Sequence, residues 1–124
     1  MRLPAVLALG LFLASGAAFA SGPYDGNWSG TVMGAGHQCM GGSVTLNIVN
    51  NTVSGIVDLA EGTAGIQGSV AADGALKATY TDKSTDDWVT LTGKVSGSDF
   101  AGNLATDYPD RYGACTRSVG AKRF

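Results

Sequence analysis

The side chains that could do chemistry are few and scattered. Glu61, Asp82, Asp86, Asp87, Asp107 and Asp110 form the largest acidic set. The segment Asp82-Lys83-Ser84-Thr85-Asp86-Asp87 puts oxygen ligands at alternate positions, as a calcium loop does, yet lacks the later glycine and the bidentate glutamate that complete one. It reads as a solvated acidic loop. His37 is the single histidine, which excludes a multi-histidine zinc site and leaves any histidine-based triad to depend on that residue alone. Paired carboxylates for glycoside hydrolysis need a cleft and one raised pKa, and hydrated loop acids suggest neither. Gly41-Gly42 has no strand-to-helix context for a phosphate loop. We therefore expect no catalytic residue, no metal and no cofactor.

Recognition chemistry has a better candidate in Tyr108, Arg111 and Tyr112, which stand within five residues of one another before Gly113. Tyrosine and arginine supply rigid area and directed hydrogen bonds at interfaces. The expected partner is a protein or a small ligand. Eight basic against ten acidic residues give a formal net charge of −2, and a faintly acidic chain without a basic cluster offers nothing to nucleic acid or anionic lipid.

These residues need a frame, and alternation defines it. Val, Thr, Ile and Leu alternate with polar residues in runs at 27–33, 43–49, 52–59, 65–70, 75–81, 88–95, 99–104 and 114–122. Period-two alternation between turn signals such as Asn50-Asn51 and Asp73-Gly74 predicts antiparallel strands. No helical period interrupts them. Consecutive antiparallel pairing puts the short turns at one end and the connections 34–42, 60–64, 82–87 and 105–113 at the other. Cys39 and Cys115 both fall at the long-loop end, and an even pair far apart in an oxidising compartment reads as one disulfide. In the chain-entropy account a loop of this length contributes roughly 4 to 4.5 kcal/mol. We expect a single all-β up-and-down barrel of about eight short strands, with the bond stapling the last strand near the first. Interior glycines at 30, 55, 68, 93 and 102 suit either a small cavity or tight strand coiling, and the branched fillers favour a packed core.

Gly26-Asn27-Trp28 at the opening of the first strand, with Arg123 near the end of the last, resembles the calycins, the lipocalin and avidin class of barrels. The resemblance implies that Trp28 packs under the closed end with an arginine across its face. Arg123 fits that role, whereas Arg117 belongs near the disulfide end. The wider pattern, Tyr24-Asp25-Gly26-Asn27-Trp28-Ser29-Gly30, Cys39, Asn51-Thr52-Val53-Ser54-Gly55, Gly68-Ser69-Val70, Asp73-Gly74 and Cys115 through Arg123, is similar to a group of small exported bacterial barrel proteins of uncharacterised function. It implies compartment and fold, not activity. The expected function is that of a non-catalytic binding or envelope-associated module acting through the loops at the disulfide end, and the alternatives are a periplasmic protease inhibitor and a lipocalin-like carrier of a small apolar ligand.

The chain opens with Arg2, an apolar run to Phe19 and Ala18-Phe19-Ala20 before Ser21. One charge, a short apolar core and small residues two apart make a secretory signal, with no membrane insertion once it is removed. Residues 1–20 are expected to be the signal and 21–124 the barrel, in the periplasm or outside the cell. Intact mass of the exported protein should begin at Ser21, and retention of earlier residues would refute the cleavage site.

Overall fold

In the computed structural model, described for residues 22–109 and 113–124, the chain forms a closed antiparallel barrel of eight strands, each paired with its sequence neighbours and the last with the first. They are β1 Gly26–Val32, β2 Gly42–Val49, β3 Thr52–Leu59, β4 Gly62–Val70, β5 Ala75–Tyr80, β6 Trp88–Ser96, β7 Asp99–Tyr108 and β8 Gly113–Arg123. Among the described residues no helix is long and apolar enough to cross a membrane. The expected all-β fold, closure and disulfide are all present. Residues 1–20, read as a signal, lie outside the described residues.

Local chemistry explains the hairpins. Asn50 and Asn51 hold φ of 53° and 67°, the left-handed pair that a two-residue turn requires and asparagine tolerates. Two strands run at least three residues further than alternation predicted. β4 starts at Gly62, not Gly65, so the expected five-residue connection shrinks to a tight turn at 60–61. Gly-Thr-Ala-Gly carries almost no apolar signal, yet it completes the ladder against Ile56–Leu59. β7 continues to Tyr108 along its ladder with β8, an extension hidden from a hydrophobic pattern because its inward Thr106 is polar.

Register fixes the width of the barrel. Paired residues lead from Gly26 through Ile48, Val53, Gly68, Ala78, Leu91 and Leu104 to Arg117. Met33 donates its N–H to the Ser118 carbonyl, so the circuit returns to the first strand opposite position 34, eight residues beyond its start at position 26. Eight strands with a stagger of eight tilt by about 36° and enclose a lumen that side chains just fill. Trp28, Leu46, Ile48, Val53, Leu91 and Leu104 belong to the single buried cluster inside. The glycines serve this packing. A Cβ at Gly93 or Gly102 would stand 2.7 or 2.8 Å from Phe100 Cζ, so the Phe100 ring occupies the space the two paired glycines leave.

One end is sealed by Trp28, which is fully buried. Its indole N–H donates to the Tyr24 carbonyl at 3.1 Å, and the Arg123 guanidinium lies 5.1 Å over the ring, a cation-π distance. Arg123 also donates to the carbonyls of Pro23, Asp25 and Gly97 at 3.1, 3.0 and 3.1 Å, which ties the N-terminal segment and the β6–β7 turn to β8. Replacing Trp28 with Ala should cost roughly 3 to 5 kcal/mol in urea unfolding. A loss below about 1 kcal/mol would mean that the ring carries little of the seal.

Candidate functional site

The opposite end holds the unusual chemistry. Alternation places Cys115, Arg117, Val119 and Ala121 of β8 on the inward face, and all four are buried. An arginine inside a barrel needs a counter-charge, and the tight 60–61 turn supplies it. Arg117 Nη2 meets Glu61 Oε2 at 2.6 Å, with side-chain exposures of 0% and 4%. Nη1 donates to Thr106 Oγ1 on the adjacent strand at 3.1 Å. Since β8 and the β3–β4 turn are separated by β1 and β2 around the barrel, the guanidinium is a bar across the lumen. Its Nε is buried without a hydrogen-bond partner among the described residues.

Glu61 was expected among hydrated loop acids, and its burial corrects that. The shortened hairpin directs the carboxylate inward, where Arg117 neutralises it. Arg117 does lie toward the disulfide end as expected, but its role under the rim is one that sequence reading did not assign. The available signal was parity: position 117 shares the inward face of 115, 119 and 121.

Above the bar, Cys39 in the 33–41 connection is bonded to Cys115, with 5.7 Å between Cα atoms. The bond anchors that connection directly to the β8 strand that carries Arg117. Tyr108 was expected in the 105–113 connection, as a recognition residue or as part of a lid. It is instead the last residue of β7, paired with Gly113, and only 6% of it is exposed. Burial, and after it the negative charge of Glu61, push its phenol above the ordinary tyrosine range, while Arg117 pulls it down. A buried strand position gives Tyr108 a share in closing this end. Arg111 and Tyr112, the other proposed recognition residues, and Asp110 lie outside the described residues.

His37, Asp82 and Asp86 are exposed, whereas Asp87 and Asp107 are half-buried. His37 stands on the stapled connection, between exposed Gly36 and Gln38. Asp82 Oδ1 accepts both the N–H and the hydroxyl of Ser84, at 2.9 and 2.6 Å, and these bonds hold its carboxyl below the ordinary aspartate range. Among the described residues, no three His, Cys, Asp or Glu side chains gather as a metal site would require. Met33, Met40 and Trp88 are large apolar residues at this end, 59%, 53% and 51% exposed. No protein-family model, curated protein or solved structure matches the chain.

A buried ion pair contributes little net stability when intact, but removing one partner strands the other charge and typically costs about 3 to 5 kcal/mol. Arg117→Met alone and Glu61→Leu alone should each destabilise by roughly that amount, while the double variant should recover most of the loss. Chemical denaturation of the three variants measures this. Additive losses would show that the two side chains do not act as a pair.

Proposed function

We propose that this is an exported, non-catalytic module that binds a protein or small ligand through the loops at its disulfide end. The observation that carries the reading is the double anchoring of that rim. The Cys39–Cys115 bond holds it from the side and the Arg117–Glu61 bar from beneath, under exposed Met33, Met40 and Trp88. A surface held rigid before its partner arrives loses less entropy on binding, which gives a purpose to a bar that costs desolvation. The signal-like leader and the disulfide agree with work in an oxidising compartment.

The two alternatives draw less support. A carrier of apolar ligands needs a hollow lumen, whereas Phe100 fills the space over Gly93 and Gly102 and the stagger leaves a narrow barrel. An inhibitor that reaches out with an N-terminal arm is disfavoured by residues 23–25, which Arg123 and Trp28 hold against the opposite end.

A photoreactive amino acid placed singly at His37, Ser84, Asn50 or Ser98 tests the reading in cells that export the protein. Adducts are expected from His37 and Ser84 at the disulfide end and not from Asn50 and Ser98. Adducts only from the latter two, or from none of the four, would overturn the proposal.

A further inference from the structure

The 33–41 connection gathers the soft donors of the chain. Apart from Met1, both methionines, Met33 and Met40, and the single histidine, His37, stand within eight consecutive residues. Both methionines are more than half exposed, and His37 is exposed between them. No Asp, Glu, Lys or Arg occurs from 26 to 57, so the connection offers sulfur and imidazole nitrogen but no carboxylate. Backbone geometry brings these donors together. The regular β1–β2 ladder ends at Val32–Gly42, and beyond it the two segments pinch: a Cβ on Gly34 would stand 2.9 Å from Gly41 N, and one on Gly41 would stand 2.9 Å from Gly34 N. Such an approach needs glycine on both sides. Met33 and Met40 each directly precede one of these glycines. A Cβ on Gly41 would lie 3.5 Å from the Met33 carbonyl carbon, which puts the two methionine Cα atoms no more than about 10 Å apart. Past the pinch, the Ala35 N–H donates to the Cys39 carbonyl at 2.6 Å and the Cys39 N–H to the Gly36 carbonyl at 3.2 Å. The chain thus turns back with His37 at its tip, and the disulfide fixes that turn to β8.

Thioether sulfur follows other rules than the ligands of calcium and zinc sites. It is a soft, neutral donor that selects monovalent copper, whereas calcium and magnesium take carboxylates and carbonyls, and zinc takes thiolates, carboxylates or several imidazoles. The one cysteine of the connection is already committed to the disulfide, so no thiolate competes. A methionine arm is unbranched and turns about three bonds, which lets two sulfurs swing from the pinch onto one ion. We propose that Met33, His37 and Met40 form a surface site for a soft monovalent cation, Cu(I), with two thioethers and one imidazole nitrogen as its ligands. The site goes beyond the partner-binding reading and is independent of it.

Titration of the exported protein with Ag(I), a redox-inert stand-in for Cu(I), followed through the methionine methyl and His37 ring resonances, tests the assignment. We expect both methyls and the ring to shift together and to saturate with one ion per chain. Met33→Leu and Met40→Leu keep an apolar side chain and remove the sulfur. Each, like His37→Ala, should weaken Ag(I) binding at least about tenfold, since even the loss of a supporting group costs that much at metal sites, and each should leave the amide spectrum of the barrel unchanged. Cu(I), supplied without oxygen as its acetonitrile complex, should be held against the chelator bicinchoninate by the unsubstituted protein and lost from the double variant Met33→Leu, Met40→Leu. Zn(II) should leave both methyls unmoved. No shift with Ag(I), shifts confined to His37, undiminished affinity in any single variant, or equal retention of Cu(I) by the double variant would overturn the site. Methyl shifts with Zn(II) as large as those with Ag(I) would overturn its assignment to a soft ion.

Discussion

Eight strands staggered by eight residues enclose a lumen that their own side chains must fill, and each level of this barrel solves that problem differently. At the Trp28 end one large ring does it, with Arg123 as cover. At mid-height Phe100 lies over the Gly93–Gly102 pair. At the disulfide end Arg117 reaches from β8 toward the β3–β4 turn and meets Glu61. A guanidinium suits this last task because its planar fork can serve Glu61 and Thr106 together. The same group imposes a register. Because side chains alternate with period two, a one-residue slip of β8 would turn Arg117 outward and leave Glu61 buried without its partner. An ion pair that adds little to net stability can thus penalise the wrong closure strongly.

The two ends consequently differ in kind. At the Trp28 end the polar groups saturate backbone: Arg123 takes three carbonyls, Trp28 a fourth, and the Tyr24 hydroxyl donates to the Ala72 carbonyl at 2.8 Å. Asp25 accepts the Asn50 N–H at 2.7 Å. Such an end has its donors committed to holding turns together. At the disulfide end the strong interactions lie below the rim, and the side chains above it project from anchored connections. That division lets loop residues differ in chemistry without disturbing the strands that carry them.

How much of this was legible follows from what each residue announces. Asn50-Asn51 and Asp73-Gly74 name their own turns, and period-two alternation located all eight strands. Antiparallel closure was enough to single out Arg123 over Arg117 for the Trp28 end. The start of β4 was hidden because Gly62 to Gly65 has no apolar alternation, and the end of β7 because Thr106 occupies an inward position. Glu61 and Arg117 were hidden for a related reason: a binary pattern treats every charge as outward. Fifty-six positions separate them, and nothing local to either predicts that the hairpin would tighten enough to bring the carboxylate inside. Tyr108 was misplaced by the same unseen extension of β7.

A filled lumen also decides where recognition can occur. In a wide barrel the interior is a ready container, and the outer wall needs only to be soluble. Here the inward positions are committed to packing and to the Arg117 bar, so the proposed recognition falls to the rim or to the wall beneath it. Trp88 is placed for that by parity: Val89 and Leu91 turn inward and are buried, so Trp88, one residue before Val89, must turn out. An apolar core cannot use a side chain in that position, and water gains nothing from it. Polar residues of the 81–87 connection stand beside the indole. The same alternation that packs the barrel therefore sets an exposed indole against a polar connection.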